Sequence, residues 1–238
     1  MPLYLIATPI GNLSDMSQRA IEILSKSPVI AAEDTRSARR LLSAFKISAD
    51  GKQIVSYGEH NESAMAPWLS QILRDGRDVS VVSEGGTPLI SDPGFRLVRA
   101  AIEAGIGVVP LPGPCAAIAA LSASGLPVHG FIFRGFLPKK PGARRRILET
   151  MKTREETLIL YESAQRIPKI LPDLVEIFGA DRPACIAREL TKIHETFWRG
   201  SLEELVQRVE REPLRGECTL LIAGLTRSSA ADESDEVD

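Results

Sequence analysis

Residues 83–94 read Ser-Glu-Gly-Gly-Thr-Pro-Leu-Ile-Ser-Asp-Pro-Gly, after the apolar run Val79-Ser80-Val81-Val82 and ahead of a helix-like segment at 95–104. Gly85, Gly86 and Gly94 open backbone angles closed to other residues, while Pro88 and Pro93 fix φ and withhold donors. A loop of that make can offer bare main chain to a ligand; a plain tight turn is the competing reading. The pattern recurs where the strand-like 3–7 runs into Thr8-Pro9-Ile10-Gly11-Asn12, and where 107–111 runs into Pro112-Gly113-Pro114. In open α/β sheets small molecules bind beyond the carboxyl ends of the strands, so three such loops on parallel neighbours would line one crevice.

Ionisable residues also gather at strand ends. Asp34-Thr35-Arg36 follows the run 29–32, Tyr161-Glu162 closes Thr157–Leu160, and Arg188-Glu189-Leu190-Thr191-Lys192 follows Ala184–Ala187. Each has a structural alternative. Asp34 is placed to cap the helix that begins at 35, the 188–192 charges can pair among themselves, and Tyr161 can serve as a packing partner.

The elements that must carry these loops alternate regularly. Strands are expected near 3–7, 29–32, 53–57, 79–82 and 107–111, with helices near 17–25, 35–45, 62–74, 95–104 and 115–123. Such alternation predicts a parallel sheet flanked by helices. After a break at Gly125–Gly130 come strands near 131–136, 157–161, 183–187 and 219–223, with helices near 142–152, 167–178 and 202–210. The expected organisation is therefore two domains, 1–120 and 121–225, with a ligand cleft between them. Phe131, Phe133 and Phe136 are read as core.

Composition sets the limits. At 238 residues, 44% hydrophobic and 25% charged, the chain has the make-up of an ordinary globular protein. It holds neither an apolar run near the roughly 20 residues of a spanning helix nor a secretory signal, so no membrane partner and a cytoplasmic location are expected. Cys115, Cys185 and Cys218 are odd in number and far apart, as suits reduced buried thiols, and His60, His129 and His194 are isolated, so no metal is expected. The formal charge of -2 hides an asymmetry: residues 226–238 set one arginine against five carboxylates. That acidic tail is expected to be disordered. Between 134 and 154, eight lysines and arginines face only Glu149; a polyanionic partner and a helix face with counterions elsewhere both fit.

Eight fragments occur in a telling order: Thr8-Pro9-Ile10-Gly11-Asn12-Leu13, Ala32-Glu33-Asp34-Thr35-Arg36, His60-Asn61-Glu62, Gly86-Thr87-Pro88-Leu89-Ile90-Ser91-Asp92-Pro93-Gly94, Leu111-Pro112-Gly113-Pro114, Gly135-Phe136-Leu137-Pro138-Lys139, Tyr161-Glu162-Ser163 and Arg188-Glu189-Leu190-Thr191-Lys192. Over residues 3 to about 224 the chain thus resembles the ribosomal RNA small subunit methyltransferase I family of the tetrapyrrole methylase superfamily. The resemblance implies two α/β domains with S-adenosylmethionine between them, and methylation of a cytidine ribose 2'-hydroxyl in the decoding region of 16S ribosomal RNA by a homodimer. The cofactor contacts so implied are Pro9, Gly11, Ser83, Glu84, Gly85, Gly86, Thr87, Pro88, Pro112, Gly113, Phe136, Leu137, Tyr161, Glu162 and Ala187. A ribose hydroxyl needs a proton acceptor, for which Asp34, Glu189 and Lys192 are candidates. Arg36 and Arg40, on one helix face at i, i+4, and Lys139, Lys140, Arg144, Arg145 and Arg146 are candidates for RNA phosphates. Two departures stand out. Glu84-Gly85 replaces the usual Asp-Ala, and Ala164-Gln165 replaces Pro-His, which removes any proton-transfer role for that histidine. Rival readings are a methylase of a small tetrapyrrole, although the 8–13 loop differs from the Val-Gly-x-Gly-Pro-Gly-Asp usual there, and a non-catalytic RNA-binding module.

Overall fold

Five four-residue runs rich in small or branched apolar side chains build the first sheet: β1 (Leu3–Ile6), β2 (Val29–Ala32), β3 (Gln53–Ser56), β4 (Val79–Val82) and β5 (Val108–Leu111). The structure, a computed structural model, describes residues 1–225, so the 226–238 tail lies outside the described residues. All pairings in this sheet are parallel, in the order β3-β2-β4-β1-β5. Every residue of β2 and β4 is buried, as befits central parallel strands covered on both faces. Alternation sends Leu3, Val29 and Ala31 to one apolar cluster, and Ile6, Ile30 and Ala32 to another. The first cluster holds α3 (Glu62–Arg74) and α4 (Phe95–Glu103) through Leu69 and Leu97; the second holds α1 (Gln18–Lys26) and α2 (Thr35–Ala44) through Leu24 and Leu42. After β5 follows α5 (Ala116–Ser124).

The second sheet is mixed. Its strands are β6 (Phe131–Phe136), β7 (Thr157–Ser163), β8 (Pro183–Arg188), β9 (Thr196–Ser201) and β10 (Glu217–Ile222), ordered β6-β7-β10-β8-β9. Only β6 and β7 run parallel; the other pairs are antiparallel. Helices α6 (Pro141–Glu149), α7 (Ile167–Phe178) and α8 (Leu202–Arg211) cover one face, where Leu148, Leu160, Leu174, Ile186, Leu205 and Leu220 share a core. Ser201 and Glu204 close a reciprocal capping box at the start of α8.

Two expectations are corrected here. Strand β9 was not anticipated, because Thr-Phe-Trp-Arg-Gly-Ser lacks a clean alternation and acquires its strand character from pairing with β8. Phe131 and Phe136 are not core: they remain 43% and 61% exposed. A bulge between Phe133 and Gly135 pairs Phe133 with Ile159 and Phe136 with Tyr161. Those partners are two apart, so both phenylalanines share the face opposite the one that Leu158 and Leu160 turn to the helices.

The chain divides into two compact units, one comprising Met1–Ala119 with Leu190–Ile193, the other Ala120–Glu189 with the described chain from His194. The transfer of four residues from the far end of the sequence into the first unit carries a candidate side chain, Lys192, with it. Among the described residues no helix is long and apolar enough to cross a membrane. Cys115, Cys185 and Cys218 are free, and burial pushes the thiols of Cys185 and Cys218 up to about 11 and about 12.

Candidate active site

Because β4, β1 and β5 are adjacent and parallel, the loops that follow them meet at one edge of the first sheet. They are tied together. Thr8 and Gly86 exchange two main-chain hydrogen bonds of 2.9 Å. The Thr8 hydroxyl donates to the Ser83 carbonyl at 3.2 Å, the Ser83 hydroxyl to the Gly86 carbonyl at 2.7 Å, and the Thr87 hydroxyl to the Pro114 carbonyl at 3.0 Å. A Cβ on Gly113 would stand 2.9 Å from that of Ala7, and Gly86 has φ +97°. Gly113 therefore serves close packing of loop on loop, whereas Gly86 has ordinary room for a Cβ and is required by its left-handed backbone. For Gly86 the expectation of bare backbone is corrected, since its N–H and C=O are both bonded to Thr8. The usual alanine at position 85 would meet the Pro9 carbonyl at 3.3 Å, a fit needing a shift of a few tenths of an ångström. Leu89 and Ser91 hold φ of 72° and 68°, strained angles for side chains of that kind.

Lys192 reaches the same edge. A Cβ on Gly11 would lie 2.5 Å from Lys192 Cγ, 2.8 Å from Thr191 Oγ1 and 3.0 Å from the Leu190 carbonyl, so the lysine stem lies directly against Gly11. Asp34 caps α2, its Oδ1 accepting the Arg36 amide at 2.7 Å, and its other oxygen pairs with the Arg36 guanidinium at 3.3 Å. These bonds, the backbone one foremost, hold the Asp34 carboxyl below the usual aspartate range. Arg36 and Arg40 are exposed on α2. Between that helix and the loops opens a cavity of about 320 Å³, lined by Thr8, Pro9, Gly11, Leu13, Ser37, Ala38, Arg40, Leu41, Ala44, Ser83 and Glu84.

The edge is electronegative. Burial, then the charges of Glu33 and Glu84, pushes Asp92 up to about 6. Glu33 is raised by burial and by Glu84 and Glu59, against a smaller opposing effect of His60.

In the second unit, Phe136, Tyr161, Thr219 and Ala187 occupy one row across β6, β7, β10 and β8. The Tyr161 ring packs edge-on against Phe133 and Phe136, with centroids 4.8 and 5.7 Å away. Glu162 is 3% exposed; its Oε1 accepts the Ser163 amide at 2.9 Å and faces Arg166 at 3.3 Å, while its Oε2 has no hydrogen-bond partner. Burial raises this carboxyl. Arg166 donates in turn to the carbonyls of Leu137 and Pro138 at 3.0 and 3.3 Å, holding that loop in place. Glu189 is committed to structure: its carboxylate accepts the Glu217 amide at 3.0 Å and covers Gly216, with φ 52° at its own backbone.

The cationic run is partly internal, which corrects two of its RNA candidates. Arg144 is 6% exposed and donates to Asp173 at 2.5 and 2.8 Å and to the Lys169 carbonyl. Arg145 pairs with Asp173 at 2.9 Å and with Glu176. Asp173 and Glu176 stand at i, i+3 on α7, and the packing of α6 on α7 neutralises both arginines. Lys139, Lys140 and Arg146 remain exposed. Among the described residues no group of three or more His, Cys, Asp or Glu is arranged to hold a metal ion.

A family model for tetrapyrrole (corrin/porphyrin) methylases matches residues 2–206. The chain belongs to that family. Within it the sequence groups with ribosomal RNA small subunit methyltransferase I: it is 47% identical to the protein of that name from Micromonospora olivasterospora, over 97% of this chain and 73% of the relative. It is 48% identical to that of Xylella fastidiosa (strain Temecula1 / ATCC 700964), over 96% and 84%, and 47% identical to that of Escherichia coli O157:H7, over 93% and 77%. The fold recurs in the methyltransferase CobJ, with TM-score 0.70 and 20% identity over 94% of each chain. It recurs also in uroporphyrin-III C-methyltransferase from Thermus thermophilus complexed with S-adenosylhomocysteine, with TM-score 0.65 and 19% identity over 94% and 97%. The protein is an S-adenosylmethionine-dependent methyltransferase of the ribosomal RNA small subunit methyltransferase I family.

Glu33, Glu84 and Asp92 place three carboxyl groups beside the knitted loops. Sequence reasoning assigned no role to Thr8, although its hydroxyl and main chain tie two loops, or to Arg166, whose i, i+4 spacing from Glu162 was the available signal. The cavity wall of Ser37, Leu41 and Ala44 was also missed; its signal is the spacing i, i+4, i+7 along α2.

Proposed function

We propose that this methyltransferase moves a methyl group from S-adenosylmethionine to the ribose 2'-hydroxyl of a cytidine in 16S ribosomal RNA, in the decoding region. The observation that carries this reading is the knitted carboxyl edge of the first sheet with Lys192 packed on Gly11, in a chain whose relatives are named for small-subunit ribosomal RNA. Bound S-adenosylmethionine supplies an electrophilic methyl carbon on a sulfonium.

In this reading Pro9, Gly11, Ser83–Pro88, Pro112 and Gly113 are the floor of the cofactor site, and Phe136, Leu137, Tyr161, Glu162 and Ala187 are further cofactor contacts. Their work is alignment, which for well-oriented reactants contributes about 7 to 11 kcal/mol. Lys192 is the best of the three candidate bases. Asp34 is a weak base because the Arg36 amide stabilises its ionised form, and Glu189 is occupied by the Glu217 amide. With the donor bound, Lys192 in its amine form would accept the 2'-hydroxyl proton as the O–C bond formed and the sulfonium S–C bond broke to release S-adenosylhomocysteine, a contribution of about 10² to 10⁴ in rate. Arg36, Arg40, Lys139, Lys140 and Arg146 hold RNA phosphates. A second copy of the chain is the expected partner at α4, where Phe95 and Ile102, seven residues apart on one face, are 68% and 63% exposed. The cytoplasm is the matching location.

The test is transfer of tritium from labelled S-adenosylmethionine to small ribosomal subunits of a methyl-deficient strain, to bare 16S RNA and to a porphyrinogen, with the product mapped to the 2'-oxygen. Label in ribosomal RNA alone is the expected result; label only in the porphyrinogen would overturn the reading.

A further inference from the structure

We propose, resting on the RNA reading above, that the cavity beside α2 receives the pyrimidine base of the target nucleotide, swung out of its stack, and that Glu84 distinguishes cytosine from uracil there. At about 320 Å³ the cavity lies at the small end of ligand sites, which run to roughly 300 to 1,000 Å³. That is room for one nucleoside and too little for a base pair.

The walls match a single base in kind as well as in size. Leu41 and Ala44 present an apolar stripe of α2, and Leu13, 51% exposed, adds a second apolar surface for the ring. Ser37, Arg40 and Glu84 bring polar groups to the same space. A cytosine edge shows one amine donor, at N4, beside acceptors at N3 and O2. Glu84, which only accepts when ionised, matches the amine, while the Arg40 guanidinium and Ser37 hydroxyl can donate to the acceptors. Uracil carries a carbonyl where cytosine carries the amine, so its oxygen would meet the carboxylate lone pairs. Single-stranded or extruded bases are the usual objects of such recognition in RNA. Gly11 also lines the cavity, and Lys192 packs against it, so a base seated here brings its own ribose towards the proposed proton acceptor. Arg36 and Arg39, exposed on the same helix, are available to the flanking phosphates.

The experiment compares wild type, Glu84→Gln and Ala44→Trp on methyl-deficient small subunits carrying either cytidine or uridine at the target. Calorimetric affinity for S-adenosylmethionine and the thermal midpoint are measured alongside. Wild type should prefer cytidine by about 10- to 100-fold. Because Glu84 also belongs to the proposed cofactor floor, the readout is the cytidine-to-uridine ratio and not the rate: Glu84→Gln should bring that ratio near one, since a carboxamide can turn either its oxygen or its amine to the base. Ala44→Trp should lose RNA methylation while keeping cofactor affinity and midpoint; if it does not fold, Leu13→Trp on the exposed wall replaces it. Wild type inactive on both substrates would refute the functional reading. A selective wild type with an unchanged ratio in Glu84→Gln would refute the base assignment alone, as would a folded tryptophan variant that no longer binds the cofactor.

Discussion

Replacing Asp92 with Asn should stabilise the protein at neutral pH and do nothing of the kind in acid. The Asp92 carboxyl is pushed up to about 6 by burial and by Glu33 and Glu84, whereas an unfolded aspartate titrates near about 3.9. The folded state therefore binds the proton more tightly. Its advantage is complete below the unfolded value and is lost as pH rises through the folded one, so at pH 7 and above the ionised Asp92 weakens the fold. At about 1.36 kcal/mol per pH unit the displacement is worth at most about 3 kcal/mol. Asp92 is only half-buried, and solvent screening reduces the expected effect to about 1 to 2 kcal/mol. For a chain of this length that corresponds to roughly 2 to 8 °C in thermal midpoint. The assay is thermal or urea unfolding of both proteins at intervals from pH 4 to pH 8 without cofactor. The difference between variant and wild type should open through the window from about 4 to about 6 and stay constant above it. Parallel stability curves over the whole range would show that burial, with Glu33 and Glu84, does not hold a proton at Asp92.

Four further outcomes are expected. Gly11→Ala forces a Cβ to within 2.5 Å of Lys192 Cγ, and displacing that lysine by about 1 Å should lower kcat about 100-fold in single-turnover assays. Arg144→Ala leaves Asp173 without its 2.5 Å partner in a buried setting and should cost about 3 to 5 kcal/mol in urea unfolding. Combined replacement of Lys139, Lys140 and Arg146 by Ala should leave stability near wild type and reduce the salt dependence of RNA binding by about 0.7 in log–log slope for each phosphate that is no longer neutralised. Phe95→Glu should shift the protein to a monomer in light scattering, since it places a charge on the apolar face of α4.

Much of the fold was legible because local signals and burial agreed. The apolar runs at 29–32 and 79–82 were expected as strands of a parallel sheet and are fully buried in it, and Asp34 was placed to cap a helix where its side chain does accept a backbone amide. Strand β9 was not legible, because its pairing with β8 decides its conformation and no local pattern in 196–201 announces that partner. The site was legible in part for the same reason. Glycines and prolines flagged the three loops, but not that Gly86 spends its main chain on Thr8, or that Glu189 and Lys192, three residues apart, go to different units.

By itself the sequence determined, β9 excepted, which segments become strands and helices, that loops of unusual backbone follow β1, β4 and β5, and which family the chain resembles, because periodicity, turn chemistry and motif order are local properties. Tertiary structure alone decided what each charge is for. Arg144 and Arg146 are two positions apart in one basic run, yet one is sealed against Asp173 and the other faces solvent. The physical reason is that a side chain's partner and its access to water depend on which elements pack beside it, and residues 144 and 173 become neighbours only when α6 meets α7.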